Sequence, residues 1–171
     1  MVRLLLEQEN VDPNHPDKND RTPLGGAASW GHEGVVKLLL EQENVDPDHP
    51  DRNGLTPLGW AAIQGHQGVV KLLLEQETVD PNHLDKSDLT PLRWAAIKGH
   101  EGVVELLLEL ENVKPDRPEK CGYGLELAAF YGHEGVVRLL LDRSDVNRDR
   151  PSINDQTLLT NATINGYEGV V

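Results

Sequence analysis

Aliphatic residues gather in four compact blocks, at 35–40, 69–74, 103–108 and 136–141, each reading V-V-x-L-L-L behind a G-H-E/Q-G step. A helix that is apolar on most sides is buried on most sides. The blocks therefore predict helices covered both by a partner helix and by neighbouring copies of themselves. Lys37 and Glu41 mark the strip left to water. Glu33 and Lys37, like Glu134 and Arg138, stand at i,i+4 in the order that favours an ion pair. A second pattern precedes each block. Thr22-Pro23-Leu24, Thr56-Pro57-Leu58 and Thr90-Pro91-Leu92 pair an N-cap threonine with proline at the first helical position. Alanine pairs follow at Ala27-Ala28, Ala61-Ala62 and Ala95-Ala96, and then glycines at Gly31, Gly65 and Gly99 that suit a helix end. These first helices are about eight residues long, too short to persist alone in water, and depend on packing. Between copies run segments rich in breakers, such as "QENVDPNHPDKND", which turn outward as loops or hairpins.

The glycines of the G-H/G-Y step, Gly31, Gly65, Gly99, Gly132 and Gly166, are spaced by 34, 34, 33 and 34 residues. A period in this range belongs to a stacked repeat, in which no unit can bury its apolar face alone. Tetratricopeptide repeats share the period but have short turns between long helices, and the breaker-rich segments here are too long for them. The T-P-L…A-A…G-H pattern resembles the ankyrin repeat, whose signature is T-P-L-H-x-A. The resemblance covers nearly the whole chain. It implies an all-α solenoid of stacked helix pairs with projecting β-hairpin-like loops. The "NVDPN…LTPL.WAA..GH" flavour and the near-identity of successive copies also look like the ankyrin arrays of fungal NLR-like (NACHT/STAND) receptors. There such arrays are thought to sense ligands beside a nucleotide-switching domain.

The expected organisation is a partial repeat over 1–16, repeats at 17–50, 51–84 and 85–118, a divergent repeat at 119–151 and a partial repeat over 152–171. The divergent unit reads "YGLELAA" where the others read T-P-L..A-A, so it lacks both cap and proline. The chain starts and stops inside second helices with no polar capping repeat, which predicts a segment of a longer array. Uncapped ends, "MVRLLLEQ" and Val170-Val171, predict end-to-end self-association.

Composition narrows the partners. Sixteen Lys and Arg face 29 Asp and Glu, a formal net charge of −13. Nucleic acid calls for a basic footprint that is lacking. No basic run suits an anionic membrane surface, and no apolar stretch approaches a membrane span. A protein partner with a basic or neutral surface fits best. The lone cysteine, Cys121, forms no internal disulfide and suits a reducing, cytoplasmic compartment.

No catalytic, cofactor or metal site is expected. His32, His66, His100 and His133 hold one phase of the repeat and His15, His49 and His83 another. Repeats stack roughly 8–10 Å apart, whereas metal ligands must lie within about 2.0–2.2 Å of one ion. The G-H histidines are therefore expected to bond backbone in turns. The aspartate columns Asp12, Asp46, Asp80 and Asp17, Asp51, Asp85 read as loop-capping acids. Cys121 beside Lys120 has no evident base, no phosphate-loop motif occurs, and the Asn161-Ala162-Thr163 sequon falls in a predicted helix.

Columns that change between copies are free of the demands of stacking. One column reads Trp30, Gln64, Lys98, Tyr131, Asn165 and another Gly25, Gly59, Arg93, Glu126, Thr160. The loop tips vary as well. In ankyrin arrays partners meet the tips and the exposed side of the first helix. The resemblance thus implies a partner-binding face of Trp30, Gln64, Arg93, Lys98 and Tyr131, flanked by Lys18, Asn19, Arg52, Asn53, Lys86 and Ser87. Trp60 and Trp94 either stack on each other between repeats or belong to the binding surface, and Ile63 and Ile97 likewise join either the inter-repeat core or that surface. The function this implies is a non-enzymatic protein-binding module. The alternative is a structural spacer, which would show bland, polar columns.

Overall fold

The helices fall into two parallel rows. The computed structural model describes residues 1–8, 10–113, 115, 124–144, 146 and 158–167. One row contains α2 (Pro23–Ser29), α4 (Pro57–Gln64), α6 (Pro91–Lys98), α8 (Gly124–Phe130) and α10 (Leu158–Asn165). The other contains α1 (Val2–Leu6), α3 (Glu33–Leu40), α5 (Gln67–Leu74), α7 (Glu101–Leu108) and α9 (Glu134–Leu141). Each helix packs on its neighbours in its own row, and α2/α3, α4/α5, α6/α7 and α8/α9 pair within units. No strand forms among the described residues. The arrangement is the all-α solenoid that the period predicts.

The start signals work as the sequence suggests. Thr22, Thr56 and Thr90 are extended, and their hydroxyls accept from the amides of Gly25, Gly59 and Arg93 at 3.2, 3.1 and 3.3 Å. Each cap is typically worth about 1 kcal/mol. Helices α4 and α6 end on Gly65 and Gly99 in the left-handed conformation. α8 forms although Gly124 replaces proline at its first turn; the cap position, 123, and the segment 116–123 lie outside the described residues.

The core is a set of columns running the length of the stack. Leu24, Leu58, Leu92 and Leu125 form one, Leu39, Leu73, Leu107 and Leu140 another, all at most 3% exposed. The alanine pairs are equally enclosed, so first helices approach with little side chain between them.

The G-H step locks each unit to the one before. His66, His100 and His133 donate through Nε2 to the carbonyls of Ser29, Ile63 and Ile97 at 3.3, 3.0 and 2.8 Å. The acceptors lie in the preceding unit, so these bonds bridge repeats and do not close the histidine's own turn. A Cβ on Gly31, Gly65 or Gly99 would stand 2.6 Å or less from the ring of the following histidine. Glycine is needed there twice over, for its positive φ and for the ring packed against it. Tyr167 takes the histidine's place against Gly132.

Two expected contacts differ. Glu134 pairs with Arg138 as anticipated. Glu33, in contrast, lies against Gly68 of the next unit, and no ion pair joins it to Lys37 among the described residues.

Candidate partner-binding face

The projecting loops are closed by a carboxylate, not by strand pairing. Asp17, Asp51 and Asp85 each donate their amide to the carbonyl four residues on, of Arg21, Leu55 and Leu89, at 2.9, 2.9 and 3.1 Å. Their Oδ1 atoms accept from two amides inside the turn: Asn19 and Arg21, Asn53 and Leu55, Ser87 and Leu89. These backbone bonds hold the Asp17 carboxyl below the usual carboxylate value of 3.8. The aspartate columns thus cap loops, as the sequence indicates. One backbone bond links each tip to the next: Arg52 to the Asn19 carbonyl and Lys86 to that of Asn53, both at 2.9 Å. The tip backbone turns left-handed at one position in all three loops, at Asp20, Gly54 and Asp88 with φ of 61°, 80° and 58°, and a Cβ at Gly54 would meet the Lys86 amide at 3.0 Å.

These bonds occupy the backbone and leave the tip side chains outside. Lys18, Asn19, Arg52, Asn53, Lys86 and Ser87 are all exposed. Arg52 is not a free charge, since its Nε reaches Asp20 of the preceding tip at 3.3 Å. Trp30, Gln64, Lys98 and Tyr131 also lie open to solvent, Trp30 at 72%. That column follows the last turn of each first helix, so it forms a line up one face of the stack.

Arg93 does not belong to that face. It is only 3% exposed. Its amide is the one that Thr90 caps, so the side chain leaves from inside the first turn and folds back, Nη1 donating to the Asp88 carbonyl at 3.4 Å. In this column Gly25, Gly59, Arg93 and Glu126 are buried, and only Thr160 of the last unit is exposed among the described residues. Variation there reflects how each unit fills an enclosed space and not a choice of partner.

The tryptophans depart from the stack that the sequence leaves open. Trp60 donates Nε1–H to Asp51 Oδ2 at 3.1 Å, and Trp94 to Asp85 Oδ2 at 2.8 Å. Each indole therefore ties a first helix to its own loop, and Trp60 and Trp94 form no ring pair among the described residues. Ile63 and Ile97 are half-buried beside them.

Where position 26 is glycine, Asp17 has no indole to bond, and Arg21 takes the role at 3.6 Å. Its guanidinium also donates to Ser29 Oγ at 3.3 Å and lies over the Trp60 ring, 5.7 Å from the centroid. Arg21, Ser29, Trp30, Trp60, Gln64 and His66 together line an open pocket of about 420 Å³. The sequence marks Arg21 only as one of the varying tip residues and leaves Trp60 between core and binding surface. A sharper signal was available, because the column that ends each tip reads Arg21, Leu55, Leu89 and loses its charge after the first unit. Farther along, Tyr131 meets Phe130 edge-on at 5.2 Å and lies parallel to His133 at 6.4 Å. Both rings are about half exposed.

No cluster of His, Cys, Asp or Glu among the described residues has the spacing of a metal site. No helix among them is long and apolar enough to cross a membrane. Val170 and Val171, and with them one of the apolar ends expected to self-associate, lie outside the described residues.

Comparison with curated proteins yields no match. The description "Ankyrin repeats (3 copies)" fits residues 1–51 and 43–119, and "Ankyrin repeat" fits 125–150. Helix pairs in two rows, threonine-capped first helices and these matches agree: the chain belongs to the ankyrin repeat family, whose members generally serve as protein–protein interaction modules.

Proposed function

We propose that the chain is a non-enzymatic recognition array that binds a protein partner along the face of Trp30, Gln64, Lys98 and Tyr131. The carrying observation is Trp30, a large indole left 72% exposed at the rim of the 420 Å³ pocket. Trp is highly buried on average, and Trp, Tyr and Arg are the usual anchors of an interface. Arg21 and Trp60 form the floor and wall of that anchor site. The tips Lys18, Asn19, Arg52, Asn53, Lys86 and Ser87 make its rim. Arg93, buried, is left out.

The six-part division of the chain into partial repeat, three regular units, divergent unit and partial repeat fits this reading. So does a role as the ligand-sensing part of a larger cytoplasmic receptor, which rests on resemblance in the sequence. A net charge of −13 favours a partner of neutral or basic surface.

The test is a combined substitution, Trp30→Ala, Lys98→Ala and Tyr131→Ala, measured against a partner recovered by cross-linking to the full chain. Affinity should fall by at least about 2 kcal/mol, with the melting temperature little changed. Undiminished affinity would remove this face from consideration and leave a spacer role as the better account.

A further inference from the structure

The long loops carry a second ladder, on the edge away from the tips. Asn14, Asp48 and Asn82 occupy one column, 34 residues apart. Asn14 makes two bonds to the next unit. Its Oδ1 accepts from the Asp46 amide, and its Nδ2 donates to the Asn44 carbonyl. Asn82 repeats the second bond, Nδ2 to the Asn112 carbonyl at 3.1 Å. Asp48 repeats the first, with Oδ2 accepting from the Asp80 amide at 3.1 Å. Its other oxygen, Oδ1, stands where the asparagines carry an NH₂ donor. The residue thirty positions on, matching Asn44 and Asn112, is Thr78. A carboxylate oxygen has nothing to donate to a carbonyl. Oδ1 is buried and has no hydrogen-bond partner among the described residues.

We propose that Asp48 makes the joint between units 17–50 and 51–84 respond to pH, loose when the carboxylate is ionised and closed when it binds a proton. A protonated Oδ1 is a donor, and an O–H aimed at the Thr78 carbonyl restores the bond that asparagine makes in the neighbouring joints. The surroundings favour the proton. Burial pushes the Asp48 carboxyl above its ordinary value, and Asp80 of the next loop and Asp46 of its own loop add like charge. The amide of Asp80 and the ring of His83, when charged, act the other way, and burial outweighs each of them. His49 Nδ1 faces Asp46 Oδ2 at 3.5 Å. The direction follows from the raised folded-state value. Stability from this group is complete below about pH 3.8 and is lost as pH rises through the folded value.

The experiment uses the whole chain. Carboxyl carbon shifts read by NMR should show Asp48 titrating above the ordinary aspartate range, and the Thr78 carbonyl shift should move with the same midpoint. Asp48→Asn should raise the melting temperature at pH 7 by roughly 2–4 °C, a normal shift for one recovered bond in a chain of this size. That gain should shrink at pH 4. Asn14→Asp should create the same pH dependence at the preceding joint. Asparagine occupies this column naturally on both sides, so the variant fold is not in question. An Asp48 that titrates in the ordinary range overturns the proposal, and so does a gain from Asp48→Asn that is as large at pH 4 as at pH 7.

Discussion

Two successive joints of this solenoid are built on one skeleton and finished differently. Units 51–84 and 85–118 meet through Leu55, buried at the loop end, and half-buried Ile63, with the Asn82 amide bonded to the Asn112 carbonyl at the far edge. Units 17–50 and 51–84 meet through Arg21 and Ser29 at the same places, with Asp48 at the far edge. The shared elements are the leucine columns, the alanine pairs, the histidine-to-carbonyl bond and the tip-to-tip amide bond. The exchange of two aliphatic side chains for Arg and Ser accompanies a pocket beside an exposed indole. The exchange of Asn for Asp leaves an oxygen unpaired among the described residues. In a one-dimensional stack each joint contributes separately. A repeat protein can therefore hold its fold with most joints and specialise one.

Substitutions that strike the shared skeleton should have the largest effect and should not distinguish the joints. Leu58→Ala and Leu92→Ala, at sites 0% and 2% exposed, should each cost about 2–5 kcal/mol in denaturant unfolding. A clear disparity would mean that the two cores are less alike than their columns suggest.

Next come the indole bonds. Asp51 and Asp85 are 7% and 8% exposed, and each spends Oδ1 on two amides and Oδ2 on an indole. Trp94→Phe and Trp60→Phe should each cost about 1.5–3 kcal/mol, the usual worth of a hydrogen bond to a charged group. The Trp60 variant also replaces the indole under Arg21 with a smaller and weaker ring, a further loss of at most about 0.5–1 kcal/mol. A larger loss at Trp94 than at Trp60 would show that Arg21 contributes little to its joint.

The two joints can also be made alike. Arg21→Leu with Ser29→Ile copies the Leu55 and Ile63 arrangement into the first. Full burial of an aliphatic side chain gives about 1.5–3 kcal/mol. Ile63 is only half-buried, so a gain of about 1 kcal/mol in stability is expected, together with weaker partner binding as the pocket fills. Stability without loss of affinity would separate Trp30 from the pocket beneath it.

How much of this was legible in the sequence depends on whether a residue's role is set by its own unit. Thr22 and Pro23 act within one turn, and with the spaced glycines their pattern reported the helices and the repeat directly. The loop aspartates were equally readable, since Asx turns are local. Contacts between units were harder. The histidines were expected to bond backbone, but their acceptors proved to be 36 or 37 residues away in the preceding unit. Arg93 was misplaced because variation was equated with exposure, whereas its column is enclosed by the helix start and the hairpin. A stack of Trp60 on Trp94 rests on size alone and overlooks the polar N–H that directs each toward an aspartate. Asp48 differs from Asn14 by one atom type, and only the geometry of the partner loop gives that difference a consequence.

The smallest effect sets the two ends of the specialised joint against each other. Asp17 is exposed, and its carboxyl is held below its ordinary value mainly by the amides of Asn19 and Arg21, with the Arg21 guanidinium assisting. A lowered folded-state value contributes stability above about pH 3.8, lost as pH falls through the folded value. Asp48, with a raised value, regains stability as the pH falls. Acidification should therefore close the far edge of the joint before it opens the tip. Amide exchange resolves the two, because the Asn19 and Arg21 amides report on Asp17 and the Asp80 amide reports on Asp48. Asp17→Asn keeps an oxygen for the turn amides and should flatten the acid-side loss at the tip while leaving Asp80 unaffected. Should the tip and the far edge open together across this range, the joint would be a single cooperative element and not two separately titrating ends.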